Sequence, residues 1–62
     1  MIEEYAHVKI KATDIPGIVV DAYSIHGKTW YTVEYDERDE DGTFHLDTYD
    51  EDELEVTGPP SW

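Results

Sequence analysis

Short stretches of alternating apolar and polar residues, each ended by turn-forming residues, constrain the fold of this chain more than any other feature. In the first stretch, Tyr5–Ala12, the apolar residues Val8 and Ile10 alternate with His7 and Lys9. A period of two places every second side chain on the same face, which is typical of a half-buried strand and not of a helix. We therefore predict a first strand over residues 5–12.

The same alternation predicts three further strands, over Ile18–Ser24, Thr29–Asp36 and Thr43–Tyr49. Gly27 lies in the short loop between the second and third strands, so these two should form an antiparallel hairpin. The polar stretch 50–53 predicts one turn of 3-10 helix. Leu54 and Val56 then predict a short fifth strand.

Alternation also predicts which side chains share a face. The apolar sets that we expect to form the main faces of the second, third and fourth strands are Ile18 with Val20, Tyr31 with Val33, and Phe44 with Leu46. Three large aromatic side chains are expected on the opposite faces, namely Tyr23, Trp30 and Tyr49.

Five short antiparallel strands, with a 3-10 turn before the last and no segment of sustained helical spacing, predict an all-β SH3-like barrel over residues 1–57. Closure of the sheet would remove its exposed edges. Residues 58–62 follow the last alternating segment and contain two prolines, so we expect a flexible C-terminal tail.

Three segments resemble a known group of folds. Gly17–Asp21, Tyr31–Asp36 and Tyr49–Glu55 are similar to the strand patterns of KOW- and Tudor-like SH3 barrels and of small bacterial or phage proteins with that fold. The resemblance covers roughly residues 8–56. It implies a fold only, because proteins of this architecture differ widely in function, and it assigns no role to any residue.

The charge of the chain is large and uneven. Sixteen acidic residues against four Lys and Arg give a formal net charge of -12. Between Glu34 and Glu55 lie 12 of the 16 acids, with Arg38 as the one Lys or Arg among them. Such a surface disfavours binding to nucleic-acid phosphates or anionic lipids and favours a basic partner.

Other features exclude several classes of protein. The chain has no cysteine, so neither a disulfide framework nor a thiolate zinc site is expected. The first fifteen residues lack the pattern of a signal peptide, and no apolar run approaches the roughly 18 residues of a membrane span. A cytoplasmic protein is the expectation. No nucleophile elbow, phosphate loop or dinucleotide-binding turn is present, so we predict a protein without enzymatic activity or cofactor.

Two possible metal sites are weak. The stretch 37–42 resembles the start of a calcium loop, but Thr48 stands where the bidentate Glu is required, and a solvated loop is the favoured interpretation. The three histidines, His7, His26 and His45, are far apart in sequence, so we expect unrelated surface side chains.

The leading hypothesis is an interaction domain whose acidic surface docks a basic protein surface. A more specific form is a nucleic-acid mimic, as in small acidic phage inhibitors, because same-face residues of a strand lie about 6.6 Å apart, close to two base-pair rises. A row of Glu34, Asp36 and Asp47 would supply the charges. The acids predicted to bind the partner are Glu34, Asp36, Asp39, Asp41, Asp47, Asp50 and Asp52.

An alternative hypothesis is a Tudor- or SH3-type reader of a peptide or cation. Tyr23, Trp30 and Tyr49 would gather into an exposed aromatic groove rimmed by carboxylates. The simpler interpretation is that these aromatic side chains cover a second small core with their polar ends in water. The sequence leaves both alternatives open.

Overall fold

The computed structural model describes residues 2–38 and 40–60, and for residues 37 and 38 it describes the backbone. Five strands and one 3-10 helix follow one another in the predicted order. They are β1 (His7–Ile10), β2 (Pro16–Ile25), β3 (Lys28–Arg38), β4 (Phe44–Asp50), the 3-10 helix Glu51–Glu53, and β5 (Leu54–Gly58). The all-β class and the 3-10 turn before the last strand are confirmed.

The strands form one antiparallel sheet in the order β4-β3-β2-β1-β5. The first and last strands are therefore neighbours, with Ile10 opposite Leu54. Among the described residues no hydrogen bonds join β4 to β5, so the sheet is not closed into a barrel by its backbone. The predicted five antiparallel strands are present, and β4 and β5 remain the two edges.

The predicted hairpin joins β2 and β3 through a two-residue turn, His26-Gly27, between the paired residues Ile25 and Lys28. Both turn residues have positive φ, 54° at His26 and 79° at Gly27. Positive φ at both positions is the requirement of a type I′ turn, which matches the twist of the flanking strands. Gly27 meets this requirement at no steric cost.

The core differs from the predicted one in β2. Val19 is fully buried opposite Val33, whereas Ile18 and Val20 are only half-buried, so the prediction that Ile18 and Val20 form the core face of β2 is wrong. A register shift between Val19 and Asp21 is the reason. An extra residue in one strand reverses the faces beyond it. The buried hydrophobic side chains are Ile2, Ala6, Val8, Ile10, Val19, Tyr31, Val33 and Leu54.

Gly17 lets β2 approach β3 closely in this core. A Cβ atom on Gly17 would lie 2.6 Å from Val33 Cγ1 and 2.7 Å from the carbonyl oxygen of Glu34. The second of these contacts is with the backbone, which cannot move aside as a flexible side chain can. A glycine is therefore required by packing and not by a turn conformation.

The face prediction for β4 is also wrong. Phe44 and Leu46 are 44% and 58% exposed, and the side chain of β4 that packs against the core is Tyr49. Leu46 lies opposite Glu34 and Tyr49 lies opposite Tyr31. Since directly opposed residues share a face, the register with β3 turns Leu46 away from the core.

The buried Tyr31 ties three parts of the chain together. Its hydroxyl accepts a hydrogen bond from the Ile2 N–H (3.1 Å) and donates one to Glu51 Oε1 (2.9 Å). Burial raises the pKa of this hydroxyl, so it stays protonated and able to donate. The N-terminal segment, β3 and the 3-10 helix are thus joined through one side chain.

Beyond the sheet, Gly58 is the last residue of β5 and pairs with His7, and Pro59 and Pro60 follow it. Of the predicted tail, Ser61 and Trp62 lie outside the described residues, as does Met1 of the predicted domain.

Candidate binding surface

The side chains of β2, β3 and β4 that point away from the core form one continuous surface. Cross-strand pairing places Tyr23, Trp30 and Asp50 in one row and Ile18, Glu34 and Leu46 in another. Residues in such rows are neighbours on the same face of the sheet. We call this the outer surface; its residues are Ile18, Asp21, Tyr23, Trp30, Glu34, Leu46 and Asp50.

A basic side chain from a neighbouring row, that of Lys28 opposite Ile25, reaches the Trp30 ring. The Lys28 ammonium lies 4.7 Å from the centroid of the Trp30 ring and 2.9 Å from Asp50 Oδ2. The hydrogen bond with Asp50 raises the pKa of Lys28, and the same bond lowers the pKa of Asp50. Both groups are therefore held in their charged forms, with the cation between an aromatic ring and a carboxylate.

Asp50 is fixed in place by the helix that follows it. Its Oδ1 atom accepts a hydrogen bond from the Asp52 N–H (3.3 Å), and its own N–H donates to Glu53 Oε2 (2.9 Å). This reciprocal arrangement is a capping box at the start of the 3-10 helix. The two carboxylate oxygens of Asp50 thus have separate roles, because Oδ1 caps the helix and Oδ2 binds the cation.

The second row places an acid between two apolar side chains. Glu34 is half-buried, with Ile18 opposite it on β2 and Leu46 opposite it on β4. Leu46 is largely exposed, and Tyr23 in the other row is 42% exposed. The outer surface therefore combines accessible apolar area with carboxylates.

The predicted aromatic groove is only partly assembled. Tyr23 and Trp30 are cross-strand neighbours on the outer surface, but Tyr49 lies on the opposite face and packs against the core. The hydroxyl groups of Tyr49 and Tyr35 are hydrogen-bonded to each other, and their ring centroids are 6.5 Å apart. Burial, and secondarily the bond with Tyr35, raises the pKa of Tyr49. The expected position of Tyr49 beside Trp30 is wrong, because the register of β4 turns its side chain inward.

The predicted acidic site residues do not form one row. Asp47 lies opposite Val33, on the face away from Glu34, and its Oδ1 accepts a hydrogen bond from the Thr48 N–H (2.8 Å). Asp36, Asp41 and Asp52 are exposed on β3, in the β3–β4 loop and in the 3-10 helix.

Hydrogen bonds from Thr43, including one from its N–H (3.0 Å), lower the pKa of Asp41. Asp39 lies outside the described residues. Glu34 and Asp50 are therefore the two predicted acids that the outer surface brings together.

Lys28, which contacts Trp30 and Asp50, is not among the site residues predicted from the sequence. It follows the Gly27 turn, and its partner Asp50 is 22 positions away in a different strand. The contact between Lys28 and Asp50 follows from the register of two strand pairs, because Trp30 is opposite Tyr23 on β2 and opposite Asp50 on β4. Strand patterns do not specify register between strands, so the contact could not be derived from them.

Lys9 is also paired within the chain. Its ammonium lies 3.3 Å from Asp14 Oδ1 and 3.1 Å from Glu55 Oε2. Hydrogen bonds with Glu55 and then Asp14 raise its pKa. Two of the four basic side chains, Lys9 and Lys28, are thus engaged by three acids of the same chain.

A separate cavity of about 300 Å³ is lined by residues of the N-terminal segment, of the end of β5 and of the two prolines that follow it. The residues around it are Ile2, Glu3, Ala6, Val56, Gly58, Pro59 and Pro60. The predicted site residues lie elsewhere.

Over residues 2–36 and 40–60, no three His, Asp or Glu side chains are grouped as a metal site would require. In the same part of the chain no helix has the length and apolar character needed to cross a membrane. No protein-family model matches this sequence, and comparison with curated proteins and with solved structures finds no significant match in either.

Proposed function

We propose that this protein is a non-enzymatic interaction domain that docks a basic protein surface through its outer surface. One observation carries the proposal: exposed apolar side chains and carboxylates share the same face of β2, β3 and β4. Apolar area such as that of Tyr23 and Leu46 supplies the nonspecific part of association. Carboxylates such as Glu34 select a partner of positive charge.

The net charge of the whole chain also favours a basic partner. A net charge of -12 creates a negative field that attracts a basic protein and repels nucleic acids and anionic membranes. We propose that the protein binds this partner in the cytoplasm.

The proposed architecture is an SH3-like domain. The strand order β4-β3-β2-β1-β5, with the 3-10 helix directly before β5, supports this assignment. In such a domain, curvature brings the two edges near one another without a continuous hydrogen-bonded ladder.

A more specific form of the proposal is inhibition by mimicry of nucleic acid. The acids of the outer surface and of the 3-10 helix would occupy the phosphate-binding site of a DNA- or RNA-binding protein. Asp47 is not part of this set, because it lies on the other face of β4.

The test uses a labelled peptide rich in Arg and Lys, with an acidic peptide of equal length as the control ligand. Fluorescence anisotropy should show binding of the basic peptide at low salt. Binding should disappear above physiological ionic strength, because salt screens the attraction between the charges. Glu34→Gln with Asp50→Asn should weaken binding by roughly tenfold, a typical effect of removing close charge pairs.

The matched control is Glu3→Gln with Glu4→Gln, which makes the same charge change on the exposed N-terminal segment. We expect it to weaken binding much less. Equal losses for the two double variants, or binding that is insensitive to salt, would contradict the proposal.

The alternative proposal is a reader of a cation or peptide, favoured by the adjacency of Tyr23 and Trp30 on the outer surface. Two aromatic walls beside Asp50 suit a cation, although Tyr49 is not available as a third wall. A trimethyllysine peptide that binds at least tenfold more tightly than the same peptide with unmodified lysine would favour this alternative. Trp30→Leu should then abolish the preference.

A further inference from the structure

The Lys28 ammonium occupies a site formed by other residues. It lies against the face of the Trp30 ring and within hydrogen-bond distance of Asp50 Oδ2. An aromatic face and a carboxylate are the two groups that bind a side-chain cation most favourably. The site therefore already contains the type of group that a basic partner would bring.

The walls of this site do not depend on Lys28 for their position. Trp30 and Asp50 are directly opposite each other in the β3–β4 ladder. Asp50 is also held by its hydrogen bonds with the N–H of Asp52 and the carboxylate of Glu53. The carboxylate is therefore held independently of the ammonium, and the backbone ladder sets the position of Trp30 beside it.

Lys28, in contrast, is held loosely. It is the first residue of β3, directly after the two-residue turn, and its side chain is 53% exposed. The Asp50 side chain is 26% exposed, so water reaches both charges of the pair. Ion pairs that water reaches contribute little to stability, because the long lysine side chain also loses conformational freedom. A second cation can therefore replace it at small cost.

We propose that Trp30 and Asp50 form the binding site for an arginine or lysine side chain of the basic partner, and that Lys28 occupies this site in the free protein. The inference rests on the proposed function and names the contact through which it acts. Arginine is the favoured occupant, because its planar guanidinium stacks on a ring and is less strongly hydrated than an ammonium.

Lys28 is then an internal competitor, so its removal should tighten binding. Lys28→Met keeps an unbranched side chain of similar length and removes the charge. Lys11→Met is the matched control, since Lys11 is exposed and its loss changes the net charge equally. The backbone of Lys11 contacts Glu53, so the control also lies near the acidic 3-10 helix.

The first measurement is the Kd of the Arg-rich peptide for the full chain and both variants. Lys28→Met should bind about two- to fivefold more tightly than Lys11→Met, which corresponds to one exposed cation–π contact. Equal affinities for the two variants would mean that only net charge matters, and the inference would be wrong while the proposed function stood.

The second measurement does not need a peptide partner. In a Trp62→Phe background, Trp30 is the single tryptophan, and its emission reports occupancy of the site directly. Titration with arginine amide should change the emission at lower concentrations in Lys28→Met than in the parent chain. A response to arginine amide without peptide binding would contradict the proposed function and keep the inference, and no response in either titration would overturn both.

Two further variants test whether the gain in affinity depends on the Trp30 ring and the Asp50 carboxylate and not on a change of fold. Asp50→Asn keeps a good helix-capping side chain but loses the charge, and Trp30→Leu keeps apolar volume but loses the ring. In the Lys28→Met background each should cancel the gain in affinity, while circular dichroism shows the parent spectrum. A gain that survives both substitutions would also overturn the inference.

Discussion

Strands β1 and β4 have the same alternating sequence pattern and opposite environments. In β1 (His7–Ile10) the apolar residue Val8 is fully buried, whereas in β4 (Phe44–Asp50) the apolar residue Leu46 is 58% exposed. Alternation determines which residues share a face, but it does not determine which face meets the core. The difference comes from the neighbours of each strand.

β1 lies inside the sheet and β4 lies at its edge. β1 pairs with both β2 and β5, so its inward side chains meet side chains from two neighbouring strands. β4 pairs with β3 alone, and Tyr49 is its side chain packed against the core. Leu46 is left on the outer surface, opposite Glu34, where a partner could reach it.

Two backbone groups of β4 are bound by carboxylates. The N–H groups of Thr48 and Asp50 donate to the carboxylates of Asp47 and Glu53. Residues two apart in a strand direct these groups to the same side. The carboxylates of Asp47 and Glu53 are thus engaged by backbone donors of β4. This gives some of the acids a structural role.

The largest expected effect is on stability. Val8→Ala should lower the free energy of unfolding by about 2 kcal/mol, because it removes two methyl groups from a fully buried position. Leu46→Ala removes three carbon atoms but should change the free energy of unfolding by less than about 0.5 kcal/mol, because Leu46 is exposed. Urea unfolding of both variants measures the difference. Similar losses would mean that Leu46 is buried in solution, and its place on an exposed surface would be wrong.

A smaller contrast is expected between two tyrosines. Tyr31→Phe removes the hydroxyl that joins Ile2 and Glu51 and should destabilise the protein by about 1 to 2 kcal/mol. Tyr23→Phe makes the same chemical change on the outer surface and should have almost no effect. Thermal unfolding compares them. Equal melting temperatures for the two variants would mean that the Tyr31 hydroxyl does not stabilise the contact between the N-terminal segment and the 3-10 helix.

The smallest expected effect concerns Lys28 and Asp50. Because the pKa of Asp50 is lowered in the folded state, the stability that it contributes is present above its usual pKa of about 4 and is lost as the pH falls through the lowered value. The pKa of Lys28 is raised, so its contribution is present below about pH 10 and is lost as the pH rises through the raised value.

A double-mutant cycle of Lys28→Met and Asp50→Asn isolates this contribution. The coupling, measured as a difference in melting temperature, should be constant from about pH 5 to pH 9 and should disappear as the pH falls through the lowered pKa of Asp50. Coupling that persists in acid would show that packing between the side chains, and not charge, connects them.

Local sequence patterns predicted the strands well because they reflect local geometry. The turn at Gly27, the polar stretch before Leu54 and the alternation around Val8 each depend on residues close in sequence. The strand ends were less accurate. The first strand begins at His7 and ends at Ile10, shorter than predicted, while the third extends to Arg38.

The candidate site was only partly predictable, because it depends on register. Trp30 and Tyr23 were expected away from the main apolar faces, and both lie on the outer surface. Tyr49 does not join them because the pairing of β4 with β3 turns it toward Tyr35. The bulge after Val19 reverses the faces of β2, and no local signal in a run of β-branched residues marks it.

The sequence by itself determined the all-β class, the order of the elements and the large negative charge, since these follow from composition and from contacts between near neighbours. Only the tertiary structure decided which face of each strand is buried, and that Lys28 lies between Trp30 and Asp50. The physical reason is that one residue of register exchanges the two faces of a strand. The packing of the whole sheet selects between them.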